Sequence, residues 1–199
     1  STFNNQHHSQ EGPLQVSHCK YINELTHDFV NSVASLGLNI VDDFNGDNPQ
    51  NGVGYYQFMN SNGQRSSAAN AYIDPERNNP NLSLKLNSTI KKLIIDNNKV
   101  IGVEYVSHNG KHNKYFAEKE VILAPGSFIT PKILMLSGIG DEEELSEHNI
   151  ECIQHLPGVG KNLMDHPECP LIARANGKYG YYKQGEGWRM IKNGIEFLI

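Results

Sequence analysis

One block of the sequence limits the fold more than any other. From residue 82 to residue 124, strand-type runs follow one another with turn residues between them, and a helix-type run opens directly afterwards. Residues 82–86 alternate apolar and polar, 90–95 are largely apolar, and 100–106 are rich in β-branched side chains, so each is predicted as a strand. Asn97-Asn98 supplies a turn between the second and third. Asn109-Gly110 predicts a hairpin, because both central positions of a type I′ turn need φ > 0, and residues 114–117 are its return strand. Residues 121–124 are wholly apolar, the pattern of a strand buried on both faces of a sheet. They run into Pro125-Gly126-Ser127. Thr130 and Pro131 then read as an N-cap and a first helical position, with Ile133, Leu134 and Leu136 as the apolar face up to Ser137-Gly138. Four acids, Asp141 and Glu142 to Glu144, fit the positive end of a second short helix. The block predicts an α/β chain, α+β overall.

The flanks carry weaker patterns. Residues 14–16 read as a short strand. Ile22, Leu25, Phe29, Val33 and Leu36 recur at helical spacing and stop at Gly37. Residues 42–54, rich in Asp, Asn, Gly and Pro, form a loop; 55–60 read as a strand and 66–72 as a short helix of small residues closed by Asp74-Pro75. The sequence starts without Met and ends in an apolar run, Trp188, Met190, Ile191, Ile195, Phe197, Leu198 and Ile199, with no helix-ending Gly or Pro. Both ends are therefore expected to be cuts in a longer polypeptide.

Composition excludes several classes. With 199 residues and 38% hydrophobic content the chain can bury a core and should be a soluble globular protein. A formal charge of −5, from 17 Lys+Arg against 22 Asp+Glu, gives no footprint for nucleic acid. No apolar run approaches the ~20 residues of a membrane span. Residues 1–9 have neither the basic nor the apolar part of a secretory signal, and three widely spaced cysteines, Cys19, Cys152 and Cys169, fit a reducing compartment. A cytoplasmic chain is expected. Cys152 reads as a small core residue, His108 and His112 as a solvated hairpin tip with no metal, and His7 and His8 as exposed polar residues.

A buried strand, a Gly turn and a helix start can bring backbone close to a nucleotide, although most such units are purely structural, and no G-x-G-x-x-G follows a strand. The stretch Gly126-Ser127-Phe128-Ile129-Thr130-Pro131-Lys132-Ile133-Leu134-Met135-Leu136-Ser137-Gly138-Ile139-Gly140 closely resembles the second signature of the glucose-methanol-choline (GMC) oxidoreductases. Leu156-Pro157-Gly158-Val159-Gly160-Lys161-Asn162-Leu163-Met164-Asp165-His166-Pro167 is similar to that family's block just downstream. Gly63-Gln64-Arg65-Ser66-Ser67-Ala68 and Gly102-Val103-Glu104 stand in family-like order.

The resemblance implies an interior fragment of an FAD-dependent alcohol oxidoreductase. Residues 82–165 would be part of a Rossmann-like FAD-binding domain. Residues 1–81 would belong to an antiparallel-sheet substrate domain with connecting segments, and 166–199 would start its second segment. The cofactor contacts it implies are the main chain of Ile90, placed on a strand beside 121–124, and the turn at Ala124 and Gly126, where Pro125 has no N–H to give. Glu168 is the implied substrate contact, because a glutamate at the matching place supports the cationic group in the choline-oxidising branch. The competing reading is a solvated loop carboxylate. No catalytic residue is assigned: the family's catalytic His and His/Asn pair have no match here, and His166 reads as structural. A small-molecule alcohol is the implied substrate of the full-length parent, and a dimer or a partner chain supplying the missing segments stays open. So do two other readings, a flavin-free module or half of a split flavoprotein, and lyase chemistry on the same scaffold.

Overall fold

The computed structural model describes residues 3, 5–47, 51–170 and 172–198. Residues 48–50 of the expected loop and Ile199 of the terminal apolar run lie outside them. The chain divides into two compact units, Ser1–Leu82 with Leu171–Ile199, and Ser83–Pro170.

In the first unit, β1 (Ser17–His18) precedes α1 (Glu24–Ser35). The expected strand at 14–16 is displaced to β1, where pairing with β2 (Gln57–Phe58) is available. Helix α1 starts where the Asn23 side chain accepts the Leu25 N–H, and it stops just before Gly37, whose φ of +94° no β-carbon favours. Its expected apolar stripe is not the buried face. Val30 is buried, whereas Phe29 and Leu36 are 62% and 80% exposed. The run 55–60 breaks at Met59 into β2 and β3 (Asn60–Ser61), and β3 pairs with β4 (Gln64–Arg65). The small-residue helix is a π-type turn, Ala69–Ile73, and Asp74-Pro75 does not close it but opens a 3₁₀ turn, Asp74–Glu76. Proline is accepted there because the first-turn N–H groups have no intrahelical acceptor. Among the described residues, Val30, Val41, Val53 and Ala71 are the buried apolar residues of this unit.

His8 is not the exposed residue expected from the sequence. Its Nε2 lies 2.8 Å from Asp43 Oδ2, with only 12% and 9% of the two side chains exposed, and His7 Nε2 reaches Asp47 Oδ1 at 2.5 Å. Burial raises the Asp43 carboxyl, but the Asn45 N–H, the His8 hydrogen bond and the charges of His8 and His7 outweigh it and hold it below the usual carboxylate range. A carboxylate lowered on folding contributes stability above its unfolded value of about 3.9 and loses it as pH falls through the lower folded value. Acid melts between pH 5 and 2 should therefore show a steep limb that Asp43→Asn flattens. Asp43→Ala should cost about 1–3 kcal/mol at pH 7, through the N–H partners it leaves unpaired. An unchanged acid limb in Asp43→Asn would remove this assignment.

The second unit holds an antiparallel sheet in the order β5-β6-β7: β5 (Ser88–Asp96), β6 (Lys99–Ser107) and β7 (His112–Phe116). Residues 82–86, expected as a strand, join no ladder, and Leu86 is 73% exposed. The two turns differ from expectation in an instructive way. Asn97 and Asn98 both adopt positive φ (48° and 61°), so the type I′ geometry sits there. At the second hairpin only Gly110 is left-handed, and Ser107 N–H bonds Lys111 O across a three-residue loop, 108–110. Residues 121–124 carry no strand: no described residue pairs with them, and Ile122 is 79% exposed. A run of apolar residues becomes a strand only when a neighbour supplies its hydrogen bonds.

Helix α2 (Ile129–Leu136) begins one residue before Thr130, so Thr130 and Pro131 lie inside its first turn and not at its cap. It ends at Ser137-Gly138 as expected. Next come β8 (Ile139–Gly140), α3 (Glu142–Glu147) and β9 (Gln154–His155), with β8 and β9 parallel. The acidic run does start α3: Asp141 is its cap and accepts the Glu143 and Glu144 N–H groups. Leu93, Ile133 and Leu145 are the buried apolar residues of this unit, and Cys152 is half-buried. The last element, α4 (Gly187–Leu198), belongs to the first unit and carries Trp188, Ile191 and Ile195 exposed along one face.

Candidate functional site

Strand β5 is the outer strand of its sheet among the described residues, paired only with β6. Its free side therefore presents main-chain groups without a ladder partner. Ile90 opposes Tyr105, and the register slips between Ile90 and Lys92, which marks a bulge one residue beyond Ile90. Bulges turn the local strand direction and re-aim backbone groups. The Ile90 side chain is half-buried, and a shallow cavity of about 430 Å³ lined by Ile90, Val103, Tyr105 and Tyr115 lies on that sheet face. On the opposite face Glu104 pairs with Lys114 at 3.2 Å and Lys92 at 3.7 Å. The Lys114 hydrogen bond, then the charges of Lys92 and Lys114, hold the Glu104 carboxyl low against the opposing effect of burial.

Three residues beyond Ile90, the free edge is closed by one side chain. Ser137, only 5% exposed, accepts the Leu93 N–H on its Oγ at 2.8 Å and donates the hydroxyl to Ile133 O at 2.5 Å. This fixes the C-terminal end of α2 against the outer edge of β5. The sequence reading missed Ser137; its only signal was a serine just before a helix-ending glycine.

At the other end of α2, Ala124, Pro125 and Gly126 are exposed. Gly126 has φ +94°, and a β-carbon there would meet no atom within 4 Å. Its carbonyl accepts the Thr130 N–H, so the turn is locked into the start of α2 while its outer surface stays open. The strand that was to bring Ala124 beside Ile90 is absent, and no ladder joins them; what relates them is α2, which starts after this turn and packs on β5.

Beside α2 runs an apolar groove of about 920 Å³, lined by Phe128, Met135, Leu136, Leu163 and Met164, with Lys132 and Lys161 at its margin. Lys161 bonds Glu144 of α3, whose hydrogen bond and charge raise the Lys161 ammonium above its ordinary value. Glu168 is exposed in an irregular stretch of the same unit, while Tyr179, Tyr181, Tyr182 and Trp188, also exposed, belong to the other unit. His166 is almost fully exposed, as is the Asp165 beside it. His108 and His112 are exposed at the hairpin tip. Among the described residues no group of three or more His, Cys, Asp or Glu could hold a metal, and no helix is long and apolar enough to cross a membrane.

Comparison with known proteins gives a consistent result. The family model described as GMC oxidoreductase matches residues 2–168. Alcohol dehydrogenase [acceptor] from Pseudomonas putida is 38% identical over 173 residues, covering 86% of this chain and 31% of that protein. Oxygen-dependent choline dehydrogenase from Brucella canis is 36% identical over 188 residues, covering 94% and 34%. Among solved structures, an FAD-dependent oxidoreductase from Chaetomium thermophilum superposes with a TM-score of 0.73 at 33% identity, covering 78% of this chain and 27% of that one. A formate oxidase gives 0.72 at 34%, covering 79% and 27%. The chain spans about a third of the length of the curated relatives it matches.

Proposed function

The chain belongs to the GMC oxidoreductases, and from that we propose that it supplies the adenine-side part of an FAD site in an enzyme that oxidises a CH–OH group. The observation that carries the proposal is the match over 2–168, which takes in nearly all of the second unit with its outer edge of β5 at Ile90 and its exposed turn at Ala124 and Gly126. At Gly126 an added β-carbon would meet no atom within 4 Å, and at Ile90 the strand has no ladder partner among the described residues on its outer side. The residues present fit the adenine end of the cofactor and not its pyrophosphate, because no Gly-rich phosphate turn occurs in these 199 residues. Bound FAD would supply the hydride acceptor. The chain's own residues would orient and shield the cofactor: Ile90 through its main chain, Gly126 by allowing close approach, and Pro125 by withholding an N–H from that turn. No residue here is assigned to take the alcohol proton.

A chimera tests this. Exchanging the matching third of the Pseudomonas putida alcohol dehydrogenase for this chain should give a protein with one flavin per chain and alcohol-dependent bleaching of it. A folded, colourless chimera would overturn the proposal. If flavin appears only when this chain and the other segments are mixed as separate polypeptides, the split-flavoprotein reading takes its place. Free Cys19, Cys152 and Cys169 support a reducing compartment, and we place the protein in the cytoplasm.

Substrate preference is the finer part of the proposal. The relatives named choline dehydrogenase align over 94% of this chain, a span that includes most of its length around Glu168. A carboxylate within a few Å of a cation in a partly dry site, as the substrate cavity of the full-length enzyme would be, contributes on the order of 1–3 kcal/mol. Glu168→Gln, placed in a chimera with the Brucella canis enzyme, should therefore lower kcat/KM for choline on the order of 10-fold or more, and leave a neutral alcohol of similar size unaffected. Equal losses on both would return Glu168 to a solvated loop carboxylate.

A further inference from the structure

We infer that Ser137 is a positioning residue for the cofactor edge: its hydroxyl holds the outer side of β5 at Leu93 and so fixes the main chain at Ile90. The inference rests on the proposed FAD reading for its ligand, while its mechanical half stands on geometry alone. Ser137 is 5% exposed and Leu93 is 5% exposed, so neither the Leu93 N–H nor the hydroxyl has ready access to water. The bond between them is 2.8 Å, and the same hydroxyl answers Ile133 O, a carbonyl in the last turn of α2. Between this anchor and Ile90 lies the irregularity in the β5–β6 register, from Ile90 to Lys92. A bulge on an outer strand is held from one side only and can slide by a residue, which would turn Ile90's backbone groups away from the edge. An anchor immediately beyond the bulge prevents that slide. Ser137 thus acts through β5 and does not touch the ligand itself.

The test uses the 199-residue chain with ADP as the probe. Amide hydrogen exchange is followed at Leu93 and at residues 89–92, with the amides of α1 as an internal control of folding, and ADP is titrated with the Ile90 amide resonance as the reporter. Ser137→Ala is expected to speed exchange at Leu93 and at Thr89 and Lys92, which oppose Val106 and Glu104 of β6, by 10-fold or more, and to weaken the ADP response at Ile90 by a similar factor. Ser137→Thr keeps a hydroxyl and should restore both. Faster exchange confined to Leu93, or a Thr variant as perturbed as the Ala variant, overturns the inference. A wild-type chain whose Ile90 resonance ignores ADP defeats the cofactor reading, and the exchange data then still decide whether Ser137 controls Ile90. If Ser137→Ala does not fold, Ser137→Thr alone decides: unchanged exchange and ADP response support the role, and accelerated exchange at Thr89 and Lys92 with the hydroxyl present counts against it.

Discussion

Gly138→Ala should lower the stability of the second unit by about 2–5 kcal/mol, made of roughly 1–2 for a left-handed backbone and roughly 1–3 for overpacking. Gly138 has φ +81°, and a β-carbon there would stand 2.5 Å from the backbone oxygen of Glu151 and 2.9 Å from Ile153 Cγ1. The nearest obstacle is main chain, so no rotamer change relieves it. The same residue donates to Met135 O and accepts from the Ile153 and Gln154 N–H groups, so a shift of its backbone disturbs the end of α2 and the β8–β9 pair together. Gly126→Ala is the control. Its φ is also left-handed but the space around it is open, so only the strain, about 1–2 kcal/mol, should appear. Urea unfolding of the two variants separates the effects, and equal losses would show that the contact with Glu151 carries nothing. Against a typical total of about 5–15 kcal/mol the Gly138 change is large enough to leave part of the population unfolded.

Local signals in the sequence were read well where they depend only on near neighbours. The β5-β6-β7 meander follows from β-branched runs separated by Asn and Gly, and the Asp141 cap follows from an acidic run meeting a helix dipole. The same local chemistry assigned the type I′ turn to Asn109-Gly110, whereas Asn97-Asn98 adopts it. Loop length settles that: two residues at 97–98 demand it, whereas three at 108–110 are satisfied by one left-handed glycine.

What failed needs a partner distant in sequence. Residues 121–124 and 82–86 have strand composition, but a strand exists only when another chain segment meets its hydrogen bonds, and composition says nothing about which segment that is. The stripe on α1 was misread for a related reason, since periodicity identifies an apolar face without saying what covers it. His8 and Ser137 were missed because each takes its role from a partner 35 or 44 residues away, Asp43 and Leu93. The candidate contacts at Ile90, Ala124 and Gly126 came from the family resemblance; the side-by-side strands expected to bring them together are absent, and Ile90 lies on the outer strand β5 while Gly126 lies in an exposed turn.

The 199-residue chain by itself should hold FAD too weakly to purify yellow. A dinucleotide cofactor is bound chiefly through its pyrophosphate, by backbone N–H groups of a Gly-rich turn at a helix N-terminus. That turn does not occur in this sequence, while the groups proposed to contact the cofactor, the edge of β5 and the turn at Gly126, are neutral main chain. Hydrogen bonds to a charged partner contribute roughly 1.5–3 kcal/mol each, so lacking two or three of them removes about 3–9 kcal/mol, two to six orders of magnitude in Kd. The comparison that isolates this loss is ADP against FAD. If only the adenine end is recognised, the two should bind this chain with Kd values within about tenfold of each other, since the flavin half of FAD finds nothing further to hold it. A chain that purifies with one flavin per polypeptide, or one that binds FAD a thousandfold more tightly than ADP, would show that these residues contact the flavin half as well, and the assignment of this segment to the adenine side would have to be abandoned.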